Sequence, residues 1–150
     1  MSRIRKLVQQ LVSQYGTRDP YIIAEKLGII LVYKPYKSTQ GYYAQILGQQ
    51  FIVINSNLSK ATQRIVLAHE LGHACLHPNY NMAFIEEQTL FPLGYYDSES
   101  SIFAAELLLA DEIYDKHKDF SVKQLAGMLS VPPILIEIKL NMCQNFPIIT

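Results

Sequence analysis

Residues 59–73 read SKATQRIVLAHELGH, and this stretch predicts both a buried helix and the chemistry that the helix carries. Ser59 is a favoured N-cap, and no Gly or Pro precedes the His-Glu-Leu-Gly-His segment, so the segment should lie inside the helix. Residues four apart are neighbours on a helix surface, so His69 and His73 can bind one metal ion together. Zn²⁺ accepts imidazole ligands and keeps a position for water in catalytic sites, and Glu70 lies beside that position as a general base. The alternative is a surface helix whose histidines only pack or contact solvent.

A catalytic zinc requires a third protein ligand, which this segment alone does not supply. One extended metalloprotease motif places a third His ten positions after the first, where this chain has Asn79, so that class is excluded. His77 continues the four-residue spacing, but Pro78 follows and disfavours helical geometry at residue 77. We interpret His77 as a capping residue or an outer partner of a ligand, with ligation as the alternative.

A second helical pattern, residues 97–110, carries acidic residues on an otherwise apolar helix. Glu99 and Glu106 lie seven positions apart and therefore share one face. An acid on a buried face requires a partner, and a zinc ion is one such partner. The alternative is that Asp97 and Glu99 lie in the first turn because the helix dipole favours carboxylates there.

The two segments together resemble the ImmA/IrrE family of metallopeptidases, which occurs on bacterial mobile elements and prophages. The run HELGHACLHP at residues 69–78, followed by FAAELLL at residues 103–109, is similar to that family's blocks, the second of which reads ExEANxFAAELLMP. The resemblance implies that Glu99, aligned with the second Glu, is the third zinc ligand, with Asp97 as the alternative. It further implies an α+β, zincin-like single domain over residues 1–150, with a small antiparallel sheet, the HExxH helix and a second ligand-bearing helix.

The resemblance also implies a biological role. Family members take part in cleaving a helix-turn-helix repressor of the element that encodes them. By this resemblance the chain is expected to be a zinc-dependent regulatory endopeptidase of a phage or mobile element, with a protein substrate of that kind. Two alternatives are a metal-binding regulator that acts through protein contacts without cleavage, and a deformylase. The second is disfavoured because the chain lacks the glycine-cysteine-leucine run that supplies a deformylase ligand.

The chain departs from the family pattern at three positions. Ser100 and Ser101 replace the expected Ala and Asn, and Ala110 stands where a proline usually ends the helix. We therefore expect the second helix to continue through Asp111 or beyond, and one residue that could hold a ligand in place is missing.

Two tyrosines precede the second helix. Tyr95 and Tyr96 are close in sequence to Glu99, and a phenol near the metal can donate a hydrogen bond to the oxyanion of a tetrahedral intermediate. The alternative is that both rings pack over the start of the helix.

Charge and composition limit the other functions. Thirteen basic and 13 acidic residues cancel, so no global field favours nucleic acid, and we interpret the cluster of Arg3, Arg5 and Lys6 as a solvated helix face. The last part of the chain reads helix, turn, helix, but its second helix is apolar and offers only Lys139 as a base, so direct DNA binding is not expected.

Cysteine usage and hydropathy indicate the compartment. Two cysteines are too few for a disulfide framework, and no apolar leader follows the first residues. The most apolar early segment, residues 21–33, is shorter than the roughly 20 residues of a membrane span. We expect a cytoplasmic protein that does not cross a membrane.

Periodicity and turn residues predict the remaining elements. A first helix covers residues 3–14 and ends at Gly16, and a second begins at Asp19-Pro20 and runs to Leu27. A strand at residues 29–33 precedes a hairpin of residues 41–47 and 50–55, turned at Gly48-Gln49.

Overall fold

The first two helices begin and end where the capping residues predict. The structure, a computed structural model, describes residues 2–79 and 95–145, and the side chains of all of these except residues 95–98. Helix α1 (Arg3–Tyr15) begins after Ser2, whose hydroxyl accepts the Arg5 N–H, and ends at Gly16 with φ 67°. Helix α2 (Pro20–Lys26) begins after Asp19, whose carboxylate accepts the Tyr21 N–H.

Three strands form one mixed sheet in the order β1-β3-β2. β2 (Gly41–Ile46) and β3 (Gln49–Asn55) form the predicted antiparallel hairpin, but the turn is Leu47-Gly48, with φ of 50° and 81°. β1 (Ile30–Lys34) pairs in parallel with β3. The prediction of an antiparallel sheet is therefore correct for the hairpin and wrong for β1.

The parallel pairing of β1 follows from the connection that precedes β2. β3 is the central strand, with Ile52 and Ile54 fully buried, and the tight turn commits one of its edges to β2. The chain after β1 must therefore cross to the far edge of β3. The Asn55 side chain fastens this crossing, because its amide donates to the carbonyls of Tyr36 and Thr39 and accepts the Tyr36 N–H.

Helix α3 (Lys60–Leu76) carries the His-Glu-Leu-Gly-His segment through the centre of the fold, as predicted, and begins at the N-cap Ser59. All of its residues from Ile65 to Ala74 are buried, because β2 and β3 pack on one side of the helix and α2 and α4 on others. A helix enclosed on several sides can hold polar groups out of water, which is the environment that a metal centre requires.

Helix α4 (Tyr95–Leu108) packs most extensively against α3. It ends at Leu108, so the expectation that it continues through Asp111 is wrong although Ala110 replaces the proline. The Asp111 carboxylate binds Arg5 of α1 at 2.8 Å and Lys139 at 2.7 Å. The chain thus leaves the helix before the residue that makes these contacts.

The last three helices are α5 (Glu112–Lys116), α6 (Val122–Leu129) and α7 (Pro133–Asn145). The last two form the predicted helix, turn and helix, with α7 packed on α4 and Lys139 fully buried. In the described part of the chain no single helix has the length and apolarity of a membrane span, and only α6 with α7, bent by 114°, meet these criteria together.

Candidate metal centre

Three potential ligands meet on the buried face of α3. His69, Glu70 and His73 are 1%, 1% and 0% exposed, and one ligand atom from each lies within 4.8 Å of the others. Two ligands of one tetrahedral zinc ion lie about 3.4 Å apart, so small side-chain adjustments suffice for joint binding. Two imidazoles with a carboxylate are also the donor types that zinc and related divalent ions prefer. The residues present therefore fit a metal ion, and we call this group the metal centre.

Gly72 allows the second helix to approach the metal centre. A Cβ atom at this position would lie 3.0 Å from the Ser100 Cα and 3.1 Å from the Phe103 Cβ, both on α4. These distances are shorter than ordinary van der Waals contacts, so any larger residue would force the two helices apart. The glycine within the histidine motif and the small residue at position 100 thus set the spacing between α3 and α4.

Ser101 contacts one of the two histidines directly. Its hydroxyl lies 3.5 Å from the His69 Nδ1, at the long end of hydrogen-bond distances. Ser101 occupies the position at which the family pattern has Asn, so the substitution retains a polar group beside the ring. A partner at Nδ1 helps to orient the imidazole so that Nε2 can face an ion.

Glu99 lies beside the metal centre but is not part of its tight group. The Glu99 Oε1 is 2.8 Å from the His77 Nε2, and its Oε2 accepts a hydrogen bond of 2.9 Å from the Arg3 guanidinium. The His77 ring in turn lies 5.8 Å from the ring of His73, measured between centroids. The structure therefore links the predicted third ligand to His73 through His77.

His77 is the C-cap residue of α3, with φ −135°, and its N–H donates to the His73 carbonyl. The segment after it is held by strand residues, because Tyr43 donates its phenolic hydrogen to the Pro78 carbonyl and Gln50 donates to the Ala74 carbonyl. Burial raises the pKa of Tyr43, so the phenol keeps the proton that it donates. The sheet thus fixes the end of α3 from which His77 reaches Glu99.

Three further predicted site residues lie in the first turn of α4. The backbone of Tyr95, Tyr96 and Asp97 is helical, but their side chains lie outside the described residues. Their predicted roles, as oxyanion donors and as the alternative ligand, remain predictions.

Glu106 shares a face of α4 with Glu99, but its partners are basic residues. The Arg5 Nη1 donates to both Glu106 oxygens at 2.9 and 2.7 Å, and the Lys139 Nζ lies 3.0 Å from Oε2. Asp111 completes this group by binding the same two basic residues. The interpretation of Arg5 as part of a solvated face is wrong, because its side chain is buried in this group, which we call the charge network.

Cys75 lies two residues after His73 but is poorly suited to metal binding or nucleophilic attack. Burial raises the pKa of its thiol to about 12, so the sulfur is protonated near neutral pH. The thiolate is the form that binds metals and attacks substrates.

Sequence reasoning did not identify Arg3, Ser101 or the pair Tyr43 and Gln50 as neighbours of the site. The departure from the family pattern drew attention to position 101. No local signal indicated Arg3, which is 96 positions away from Glu99.

Comparison with known proteins identifies the family. Residues 24–140 match the peptidase family M78, described as the IrrE N-terminal-like domain. The chain is 38% identical over 147 residues to the "uncharacterized immunity region protein 2" of Bacillus phage phi105, covering 95% of this chain and 93% of the relative. It is 28% identical over 149 residues to the metallopeptidase ImmA of Bacillus subtilis strain 168, covering 95% and 87% respectively. The chain that carries this buried His-Glu-His centre therefore belongs to the ImmA/IrrE family of metallopeptidases.

Proposed function

We propose that this protein is a zinc-dependent endopeptidase whose single domain spans residues 1–150. In this proposal His69, His73 and Glu99 hold the zinc ion and Glu70 is the general base. The observation that carries it is the buried group of His69, Glu70 and His73 in a member of a metallopeptidase family. When bound, zinc lowers the pKa of a coordinated water to about 7 and polarises the scissile carbonyl.

Glu70 performs the proton transfers in this mechanism. Its carboxylate is buried beside the two imidazoles, where it can take a proton from the attacking water. It then delivers that proton to the leaving amine of the cleaved peptide. Low local polarity strengthens its interaction with nearby charges, because few water molecules screen the site.

The edge of β2 is the proposed substrate-binding strand. β2 pairs with β3 on one side, and no described strand pairs with its other edge. β2 also packs against α3, so an extended peptide paired with this edge would run beside the metal centre. Backbone pairing of this kind binds a peptide with little dependence on its sequence. Tyr95 and Tyr96 are proposed to donate to the oxyanion that forms during attack.

The proposed substrate is a helix-turn-helix repressor of the phage or mobile element that carries the gene. Support comes from the resemblance described above and from the relative named for a phage immunity region. The cleavage would take place in the cytoplasm, where such a repressor binds its operator. The protein itself is not proposed to bind DNA, since Lys139, the base of its apolar last helix, is buried in the charge network.

A Glu70→Gln variant tests this function. We expect it to bind one zinc ion with an affinity close to that of the wild type and to lose about 10²–10⁴-fold of the cleavage rate, because the general base is gone. Each protein is purified without added metal, and its zinc content is measured by elemental analysis. Cleavage of the repressor encoded beside the gene is followed by mass spectrometry. Glu25→Gln, the same change at an exposed site on α2, is the matched control.

Unchanged cleavage in Glu70→Gln would contradict the proposal. If neither the wild type nor Glu70→Gln cleaves the repressor but both still relieve repression, the result supports the alternative of a metal-binding regulator that acts through protein contacts.

A further inference from the structure

Both oxygens of the Glu99 carboxylate have a nitrogen partner. Oε1 is 2.8 Å from the His77 Nε2 and Oε2 is 2.9 Å from the Arg3 guanidinium. The Glu99 side chain is only 15% exposed, whereas that of Arg3 is 65% exposed. Arg3 therefore approaches the carboxylate from the solvent side, and His77 approaches it from the side of the metal centre.

The fold holds Arg3 in place although its side chain is largely exposed. Arg3 is the first residue of α1, directly after the N-cap residue Ser2. Two residues further on, Arg5 is buried and binds both oxygens of Glu106, which lies on the same helix as Glu99. Two arginines of α1 thus bind two glutamates of α4, and the buried pair fixes the position from which the outer arginine reaches Glu99.

We infer that Arg3 is a positioning residue that fixes the Glu99 carboxylate for metal binding, an inference that rests on the proposed function. A carboxylate oxygen has two lone pairs, so Oε2 can accept from Arg3 while Oε1 turns from His77 to an ion. Holding one oxygen restricts rotation of the carboxylate, which lowers the entropy lost on metal binding. Outer partners of metal ligands typically change affinity by about 10–100-fold.

The test measures the zinc dissociation constant by competition with a chromophoric chelator. We expect Arg3→Ala to weaken zinc binding by about 10–100-fold and Arg3→Lys to restore much of that loss, because a lysine can still donate to Oε2. Lys6→Ala removes the same charge from an exposed site on the same helix, and we expect a change of less than about twofold. The cobalt-loaded Arg3→Ala protein should also show an altered visible spectrum, which a merely structural contact would not produce.

Three outcomes separate the inference from the proposed function. If Glu99→Ala loses zinc while Arg3→Ala binds it within about twofold of the wild type, the inference is wrong and the proposed ligand set stands. Tighter binding by Arg3→Ala would also overturn the inference, since Arg3 would then be holding Glu99 away from the ion. If the wild type binds no zinc, or Glu99→Ala retains its affinity, both are overturned. Metal-free melting temperatures of Arg3→Ala and Lys6→Ala should agree, which excludes partial unfolding.

Discussion

Two glutamates on one face of α4, seven residues apart, belong to different kinds of buried polar site. Glu99 lies beside the metal centre, where its carboxylate contacts His77 and Arg3. Glu106 lies in the charge network, where Arg5 and Lys139 face Glu106 and Asp111 and the formal charges cancel. The metal centre brings together imidazole and carboxylate donors of the kinds that bind divalent cations, whereas the charge network pairs opposite charges between helices.

The two sites also differ in the elements that they involve. The charge network joins α1, α4 and α7, because Glu106 binds Arg5, 101 positions away, and Lys139, 33 positions away. His69, Glu70 and His73 lie on one segment of α3, and α4 places Ser101 beside His69 and Glu99 beside His77. We therefore expect changes in the charge network mainly to alter stability, with an effect on zinc binding only through the position of Arg3, and changes in the metal centre mainly to alter zinc binding.

Removing a histidine of the metal centre should have the strongest effect of all. His73→Ala should weaken zinc binding by at least about a thousandfold, since a direct ligand contributes more than the 10–100-fold of an outer partner. The metal-free protein should remain folded, because the proposed zinc ion is catalytic and is not a structural ion on which folding depends. Chelator competition measures the first effect and far-ultraviolet circular dichroism the second. Zinc affinity that is unchanged in His73→Ala would remove the metal centre from the account.

The next largest effect comes from breaking the charge network. Glu106→Gln leaves two buried basic groups with Asp111 as their remaining acid, and loss of one partner of a buried ion pair costs about 3–5 kcal/mol. Urea unfolding of the metal-free protein measures this loss, with the exposed Glu137→Gln on α7 as control.

A combined variant tests whether charge is the cause. Replacing Arg5, Glu106 and Lys139 together by Met, Leu and Met should recover most of the stability, because an apolar group of similar volume needs no partners and Asp111, whose side chain is 34% exposed, can be hydrated. If Glu106→Gln is as stable as its control, the charge network does not join the helices.

A smaller effect is expected at the contact between the two helices that carry the metal site. Gly72→Ala places a methyl group 3.0 Å from the Ser100 Cα, and overpacking of this kind costs about 1–3 kcal/mol. Because α4 must move away from α3, zinc binding should weaken as well. Gly127→Ala in α6 is the matched control, since nothing lies within 4 Å of the added Cβ and alanine favours a helix. Equal melting temperatures for the two variants would contradict the close approach.

The smallest effect is a dependence on pH at Asp111. Burial alone would raise the pKa of this carboxyl, but the hydrogen bonds and charges of Lys139 and Arg5 lower it overall. The unfolded chain binds a proton at Asp111 near pH 3.9, so the native ion pairs stabilise the fold above that pH, and this contribution disappears as pH falls through the native pKa. Because the side chain is 34% exposed, Asp111→Asn should cost about 1 kcal/mol or less at neutral pH.

Urea unfolding of the wild type and Asp111→Asn over a series of acidic pH values measures this difference. We expect it to shrink as the pH is lowered below about 4. A difference that stays constant with pH would show that Asp111 acts through packing rather than charge.

The parts of the molecule predicted correctly from the sequence depend on local patterns. Ser59 as N-cap, the helix through His69 and His73, Gly16 as a helix end and the hairpin before α3 follow from residues close to one another in sequence. The helix-capping position of His77 followed in the same way, from the proline at residue 78.

The parts predicted wrongly depend on distant partners. The parallel pairing of β1 is set by a crossing connection that Asn55 fastens, and the end of α4 coincides with the ion pairs of Asp111. Arg5 belongs to a short basic run that is typical of a solvated surface, and only the three-dimensional structure brings it to Glu106. A one-dimensional pattern contains no information about such contacts, because charge and periodicity do not specify the partner.

A crystal structure of the zinc-loaded protein, with anomalous diffraction measured at the zinc edge, would locate the ion and identify its ligands. We predict one zinc ion at about 2.0–2.2 Å from nitrogens of His69 and His73 and an oxygen of Glu99, with one position open to solvent and Glu70 beside it. Zinc bound elsewhere, or a Glu99 carboxylate still paired with His77 while another residue completes the site, would contradict the account.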